Sequence, residues 1–485
     1  MNENQTQNQP NPENEKGLKQ EPQMLEKPQE SYTFGDSNQQ FLPMSSKELL
    51  DILGLTIKQD EVNKLVTFLC ELSAYTDNSQ FNISYNAPSS SGKSFIPTEI
   101  AALFPQSDVV EVGYCSPTAF FHDHGAFDKD SKTYTVDLSG KIMIFLDQPH
   151  TLLLQHLRPL LSHDKKEIQI KITDSKKKFG LVTKNIVLKG FPAVIFCTAG
   201  LKIDEQESTR FLLLSPDTNQ EKIKAGVDQV IAKESDNAEF KLWLEASPER
   251  GLLKQRIEAI KQAGVKDIKI PKNLHQSIKQ KFYGEKKRLK PRHQRDAKRL
   301  IALIKLFAVL NYWWRNKEGE FITANETDLE AAFAIWDKIA ESQELNLPPY
   351  VFDLYKQVLV SGWQEKMAEQ EKQPTPSQLI AGEKPQAAGL NRMEIAKKHM
   401  QVYGRHIPDW QLRQEIIPML ESSGLIMQEA DPKDRRKILI YPTTELPRTA
   451  KPENSEPLPS PTLYQENGQG IDILDIPSAV ESINF

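Results

Sequence analysis

The chain has 485 residues, enough for two or three domains, and its 61 Lys and Arg against 66 Asp and Glu leave a formal net charge of -5. That balance excludes a globally basic nucleic-acid binder, so any such surface must be local. No run of about 18 apolar residues offers a membrane span, and Cys70, Cys115 and Cys197 fit neither a zinc spacing nor a disulfide framework; the expectation is a cytoplasmic protein in a reducing compartment.

Residues 1–45 are rich in Asn, Gln, Pro and Glu, carry no apolar signal-peptide core, and read as a disordered tail because they cannot bury enough surface to offset chain entropy. Over 46–80, Leu49, Leu50, Ile52, Leu53, Val62, Leu65, Val66 and Leu69 recur at helical spacing. The runs FNISYNA, DVVEVGYC, KIMIFLD, NIVLKG and PAVIFCTA then alternate with helical stretches, which predicts an α/β core with a largely parallel sheet over 46–230. A mostly helical lid and linker region over 231–370 follows, then a Pro- and Ala-rich linker at 371–388 and a small domain at 389–444. Residues 445–485 read as a second disordered tail; its acidic and hydrophobic tip, IDILDIPSAVESINF, is either a partner-binding peptide or a frayed end. The sequence has no internal repeat.

The stretch FNISYNAPSSSGKSFIPTEIAALF reads as strand, loop and helix. Pro88, Ser89, Ser90, Ser91 and Gly92 are small enough for backbone N–H groups to approach phosphate oxygens, and the helix that follows offers its free N–H groups and dipole. Lys93 would reach the β- and γ-phosphates of ATP, and the Ser94 hydroxyl would hold Mg2+. Ala87 stands where such a loop carries its first glycine, a departure that matters only if the position needs positive φ; Pro88 biases it toward extended backbone. A Ser-rich turn is the plainer reading of the same residues.

In GKIMIFLDQPH, the apolar run Ile142 to Leu146 predicts a buried strand that delivers Asp147 at its C-terminal end, where it would hold the water shell of Mg2+. Gln148 can orient a water but cannot accept its proton, which leaves His150 or Glu111 as candidate bases. A third apolar strand, FPAVIFCTAG, ends in the polar Thr198.

Loop, acidic strand and polar-tipped strand in this order resemble the P-loop core of AAA+ ATPases. With ESTRFLLLSPD after them, they resemble the minichromosome-maintenance (MCM) helicase branch. The resemblance implies that Thr198 is a sensor of the γ-phosphate and that Gln148 replaces the usual glutamate. Thr209-Arg210-Phe211-Leu212 matches the Arg and Phe, but not the Asp, of that family's Ser-Arg-Phe-Asp-Leu element. Arg210 would then be an arginine finger acting on the neighbouring subunit's nucleotide, which implies a homo-oligomer, a hexameric ring. In RHQRDAKRLIALIKLFAVLN, Arg295 with Leu300 and Ile301 resembles the sensor 2 helix and would complete the lid; Arg292 is the second choice, and a plain basic amphipathic helix is the other reading.

KKEIQIKITDSKKKFGLVTKNIVLKG reads as a β-hairpin with Lys176, Lys177 and Lys178 at its tip. The MCM-like branch has a hairpin here that enters the ring channel; these lysines would grip DNA through its phosphates rather than its bases, or else form a solvated turn. The resemblance spans about residues 80–345, and the short foldable stretch before it departs from a family with a large N-terminal DNA-binding region.

The final domain reads as a winged helix: a helix over 391–402, a turn from Gly404 to Pro408, a helix over 408–422, then two strands around DPKDRR. Lys433, Arg435, Arg436 and Lys437 lie on or beside the wing, and Gln411, Arg413 and Gln414 on the second helix could face DNA. Winged helices also dock proteins, and the acidic tip could meet a replication protein. Three functions fit: an MCM-like DNA helicase or translocase, a slow-hydrolysing replication initiator or helicase loader acting as an ATP switch, and a winged-helix DNA-binding regulator with a degenerate ATPase core.

Overall fold

A computed structural model describes residues 41–113, 126–128, 133–147, 151–174, 182–201, 208–284, 286, 288–372, 389–432 and 434–443. Two helices open it, α1 (Ser46–Leu53) and α2 (Glu61–Leu72). The helical pattern over 46–80 is broken between them because Gln59 and Asp60 take positive φ (51° and 59°), a conformation that no helix continues through.

Five strands, β1 (Asn82–Asn86), β2 (Val109–Val112), β5 (Ile142–Phe145), β8 (Ala193–Thr198) and β9 (Phe211–Leu214), form one sheet in the order β2-β5-β8-β1-β9. Every pairing in it is parallel. The molecule therefore has an α/β core built on a parallel sheet. β1, β5, β8 and β9 are buried throughout, as strands are when both sheet faces are covered; the polar Asn82, Ser84 and Asn86 of β1 are hydrogen-bonded where they are buried. Alternate residues divide between two cores. Ile83, Ile144, Ile195 and Leu212 pack with α2 and with the long helices that follow the sheet. Met143, Phe145, Val194, Phe196 and Phe211 pack on the opposite face against the helix Thr151–Leu161 and a second sheet.

That second sheet has the order β3-β4-β7-β6, from β3 (Ala126–Asp128), β4 (Thr133–Asp137), β6 (Glu167–Asp174) and β7 (Val182–Lys189). β6 and β7 form the antiparallel hairpin, in register from Glu167↔Lys189 to Asp174↔Val182. NIVLKG thus belongs to this second sheet rather than to the parallel one. Ile186 and Leu188 are buried while Asn185, Val187 and Lys189 are not, which reflects burial on one face only. Lys176, Lys177 and Lys178 lie outside the described residues.

Among the described residues, the helices that follow α2 are, in chain order, α3 (Phe95–Ala101), α4 (Thr151–Leu161), α5 (Gln220–Ser235) and α6 (Asn237–Glu245). Then come α7 (Pro248–Ala263), α8 (Lys272–Tyr283), α9 (Arg292–Leu310) and α10 (Glu326–Glu344). α5 and α6 bury no residue of their own. The three-stranded sheet β10-β12-β11 (Asp267–Lys269, Phe321–Thr323, Asn316–Glu318) interrupts the helical stretch. α7, α9 and α10 share the core of α2 and β1, so the stretch from 248 to 344 builds no separate core.

A helical run over 349–372 (α11) contains a π turn at Tyr355–Val360, and its buried face, Tyr350 to Val360, packs with the C-terminal unit. That unit comprises α12 (Arg392–Tyr403), a helical run over 409–422 (α13), and the antiparallel pair β13 (Ile426–Ala430) and β14 (Ile438–Pro442), to which Leu390 adds a bridge at Ile440. Among the described residues, no helix is long and apolar enough to cross a membrane.

Candidate nucleotide site

The loop after β1 is built on a fixed strand end. Asn86 stands in register with Thr198 of β8, and the Ala87 N–H donates to the Thr198 carbonyl (3.4 Å). The Asn86 carbonyl accepts from the Ser215 hydroxyl (2.7 Å), and its side-chain amide donates to the Gly200 carbonyl (3.2 Å). Ala87 is fully buried and does not have positive φ. The left-handed turns fall further on, at Ser90 (φ 62°) and Gly92 (φ 90°), and the Ser91 hydroxyl closes the bend on the Pro88 carbonyl (2.8 Å). Departure from glycine at residue 87 therefore costs no backbone strain.

The chain enters α3 as soon as the loop ends. Ile96 N–H donates to the Gly92 carbonyl (3.2 Å) and Thr98 N–H to the Ser94 carbonyl (3.3 Å). Pro97 falls within the first turn, where a missing N–H leaves no helical bond unmade. Lys93 is tied to the sheet by its carbonyl, which accepts from the Cys197 thiol (3.3 Å). Burial pushes that thiol up to about 12, against the pull of the Lys93 charge, so Cys197 is neutral and serves as a donor.

Three strands converge at this edge. Phe145 of β5 is in register with Phe196 of β8. Asp147, two residues on, is thus level with Thr198 and with Asn86 at the loop. Thr198 is 6% exposed, and its hydroxyl accepts from the Gly200 N–H (3.1 Å). Asp147 is exposed. Gln148 and His150 lie outside the described residues. Glu111 stands in register with Ile144, three residues short of Asp147, and burial, together with its charge, raises the buried Glu71.

A cavity of about 680 Å³ opens beside the loop, lined by Ser89 to Gly92, by Ile57 before α2, by Ile96 of α3 and by Ile223 and Val227 of α5. The volume suits a drug-sized or nucleotide-sized ligand. At its rim Asp60 is paired with Lys222, and burial with the neighbouring Asp60 raises Asp217 to about 6. A cation held at this edge would have one hydroxyl, Ser94, and one carboxylate, Asp147, as protein donors. That set fits Mg2+, which keeps its waters and takes phosphate oxygens for the rest.

Arg210 and Arg295 are elsewhere. Both line a second cavity, of about 510 Å³, with Lys298, Arg299, Lys305 and His163. This cavity lies where Phe81 and Asn82 begin β1 and Arg210 leads into β9. The loop cavity is at the other end of the same strand, which at five residues spans about 16 Å. Arg295 donates to the Thr209 hydroxyl, and Arg299 donates to the Thr209 carbonyl (2.6 Å) and to Asp296 (2.7 Å). Arg210 donates to the Ser162 hydroxyl (2.8 Å). Burial lowers Arg299 to about 10, with Asp296 opposing, so it stays charged at neutral pH. Arg292 is buried and bonded to Asp296, Gln343 and Asn346, a framework role. Sequence reasoning missed Lys298 and Arg299 as neighbours of Arg295, although their spacing on α9 places 292, 295 and 299 on one face.

On the C-terminal hairpin, Arg436 is paired with Asp434 (3.0 Å), while Arg435 is exposed. Asp434 also lies 3.7 Å from Lys437, so part of the turn's positive charge is neutralised locally. Lys433 lies outside the described residues. Arg413 and Gln414 on α13 are exposed.

No protein-family profile matches the chain, and no curated protein sequence matches it. Among solved structures, a full-length MCM homolog from Methanopyrus kandleri aligns with 61% of this chain and 59% of its own, at 12% identity and a TM-score of 0.40. The chain thus spans about three fifths of the length of that protein.

Proposed function

We propose that the chain binds ATP with Mg2+ at the loop after β1 and hydrolyses it as part of a head-to-tail homo-oligomer that acts on DNA, as an MCM-like translocase. One observation carries this reading. The loop cavity and the arginine cavity sit at opposite ends of one parallel sheet. A second copy in a head-to-tail contact would bring one to the other, and such contacts close into rings where the rotation between copies closes.

In this reading Ser89 to Gly92 cradle phosphates, Lys93 supplies charge to them, and Ser94 and Asp147 hold the cation. Thr198, fixed beside the loop, aligns the attacking water or the terminal phosphate. Arg210 and Arg295 act together on the neighbour's nucleotide and not on their own. An arginine so placed stabilises charge on the transferring phosphoryl group. The apolar floor made by Ile57, Ile96 and Val227 suits an aromatic base. Lys176 to Lys178, with Arg435 and the rest of the C-terminal hairpin read as a wing, contact DNA phosphates.

Gln148 favours a second reading, in which hydrolysis is slow and ATP holds the assembly as a switch. ATP turnover with and without single-stranded DNA decides between them, for wild type, Lys93→Ala and Gln148→Glu. A motor shows DNA-stimulated turnover that Lys93→Ala abolishes. A switch binds ATP, barely turns over, and is accelerated by Gln148→Glu. A wild type that binds no ATP overturns both.

A further inference from the structure

The loop cavity has a wall that the ATPase core does not supply. Tyr403, the last residue of α12, and Arg405, in the turn that follows, line it together with Ser89 to Gly92. The turn is forced at Gly404, which takes φ 67° and lies against the start of α5, where an added Cβ would meet the Gln220 side chain at 3.3 Å.

Arg405 is fixed in place through several bonds. Its Nη2 donates to the Tyr350 hydroxyl (2.8 Å), and its guanidinium lies over the Tyr350 ring, 5.3 Å from the centroid. The Tyr350 hydroxyl is 2.9 Å from His399 Nε2, and His399 Nδ1 is 3.0 Å from the Arg405 carbonyl. A carbonyl only accepts, so Nδ1 carries the proton and Nε2 takes the Tyr350 proton. The fully buried imidazole is therefore neutral. From the same tyrosine the chain of bonds continues to the loop: Tyr350 N–H donates to the Ser215 hydroxyl (3.0 Å), which donates to the Asn86 carbonyl (2.7 Å). Arg405 is thus tethered to the strand that carries the phosphate-binding residues. Among the described residues only its Nη2 is engaged in a hydrogen bond, which leaves the rest of its donor fork for a ligand. Tyr403 is 9% exposed, and its hydroxyl is buried without a hydrogen-bond partner among the described residues.

We propose that Arg405 contacts the phosphates of a bound nucleoside triphosphate in its own subunit, so that the C-terminal unit forms part of the nucleotide site. This rests on the reading of the loop as an ATP site and adds to it a residue from another part of the fold. A guanidinium is always charged and its planar fork matches phosphate oxygens. Occupancy of the site then bears on the C-terminal unit, and any ligand of that unit bears equally on nucleotide affinity.

The test is ATP binding by full-length protein, measured by calorimetry at several salt concentrations, with thermal melting beside it. Arg405→Ala weakens ATP binding at least about tenfold, flattens the dependence of affinity on salt, and melts near the wild type. Arg405→Lys recovers part of the affinity. Tyr350→Phe keeps the guanidinium but frees it, and loses less than Arg405→Ala. The proposal is overturned if Arg405→Ala binds ATP within twofold of a wild type that binds it. It is equally overturned if Arg405→Ala and Tyr350→Phe lose affinity and melting temperature in parallel with an unchanged salt dependence, because Arg405 then only docks the unit. Failure of the underlying reading looks different: wild type and Lys93→Ala both fail to bind.

Discussion

Ala87 occupies a glycine position without strain because its N–H extends the β1–β8 ladder and its methyl group is buried. Ala87→Gly should therefore lower stability by about 1 kcal/mol, from lost apolar burial and added chain entropy, and leave ATP affinity unchanged. Gly92→Ala should behave in the opposite way. An added Cβ would meet nothing within 4 Å, yet φ is +90°, so about 1–3 kcal/mol of backbone strain falls on the loop itself and ATP affinity drops. Calorimetric binding with thermal melting for both variants checks this, and a gain in affinity for Ala87→Gly would contradict it. His399 carries a second residue-scale prediction. Burial holds it at about 4, its hydrogen bond to the Arg405 carbonyl opposes, and the Arg405 and His406 charges add to the lowering. An unfolded histidine near 6.5 binds the proton first, so stability is complete above about pH 6.5 and falls as pH drops toward 4, by at most about 1.4 kcal/mol per unit for one proton. His163, lowered to about 4 by burial and Lys298, acts in the same sense, while Asp217, raised to about 6, acts in the opposite one. The comparison that isolates His399 is His399→Gln against wild type in urea at pH 7.5, 6 and 5. The wild type should lose more stability between 6 and 5 than the variant, and equal losses would contradict the assignment.

Elements place these residues. The β6–β7 hairpin is eight paired positions long, and residues 175–181, which join its strands in sequence, lie outside the described residues. Replacing Lys176, Lys177 and Lys178 with alanine should weaken single-stranded DNA binding and reduce its salt slope by about 0.7 for each phosphate left unneutralised, without preference for sequence. An unchanged slope would mean a solvated turn. Much of this architecture is legible in the sequence. β5 and β8 are apolar runs ending in a polar residue or turn, β1 is marked by the loop that follows it, and α12, α13, β13 and β14 begin and end where Gly404, Pro408 and Gly424 require. β9 escapes such a reading, although Phe211–Leu214 is an apolar run of the same length as β5, because it lies inside a stretch whose arginine dominates it. The strands β3 and β10 to β12 escape because each is only three residues long. Arg405 is invisible in sequence because a turn arginine in one unit gains meaning only from the cavity that another unit brings to it.

At the scale of the whole molecule, the sheet separates two cavities. The loop, Asp147 and Thr198 crowd its C-terminal edge, where parallel α/β sheets hold their ligands, while Arg210 and Arg295 gather at the opposite end with Lys298 and Arg299. α5 and α6 leave Ile223, Val227, Val230, Ile231, Leu242 and Trp243 exposed beside the loop cavity, an apolar surface larger than scattered single residues. The most direct measurement is subunit mixing. Lys93→Ala lacks the loop lysine, and Arg210→Ala lacks the finger; each should turn over ATP at least about a thousandfold more slowly than wild type on its own. Mixed one to one, they should recover about a quarter of wild-type turnover, because one interface in four then pairs an intact loop with an intact arginine. If the mixture stays as inactive as its components, or if Arg210→Ala alone is fully active, the two half-sites do not meet across subunits and the proposed ATPase assembly is wrong.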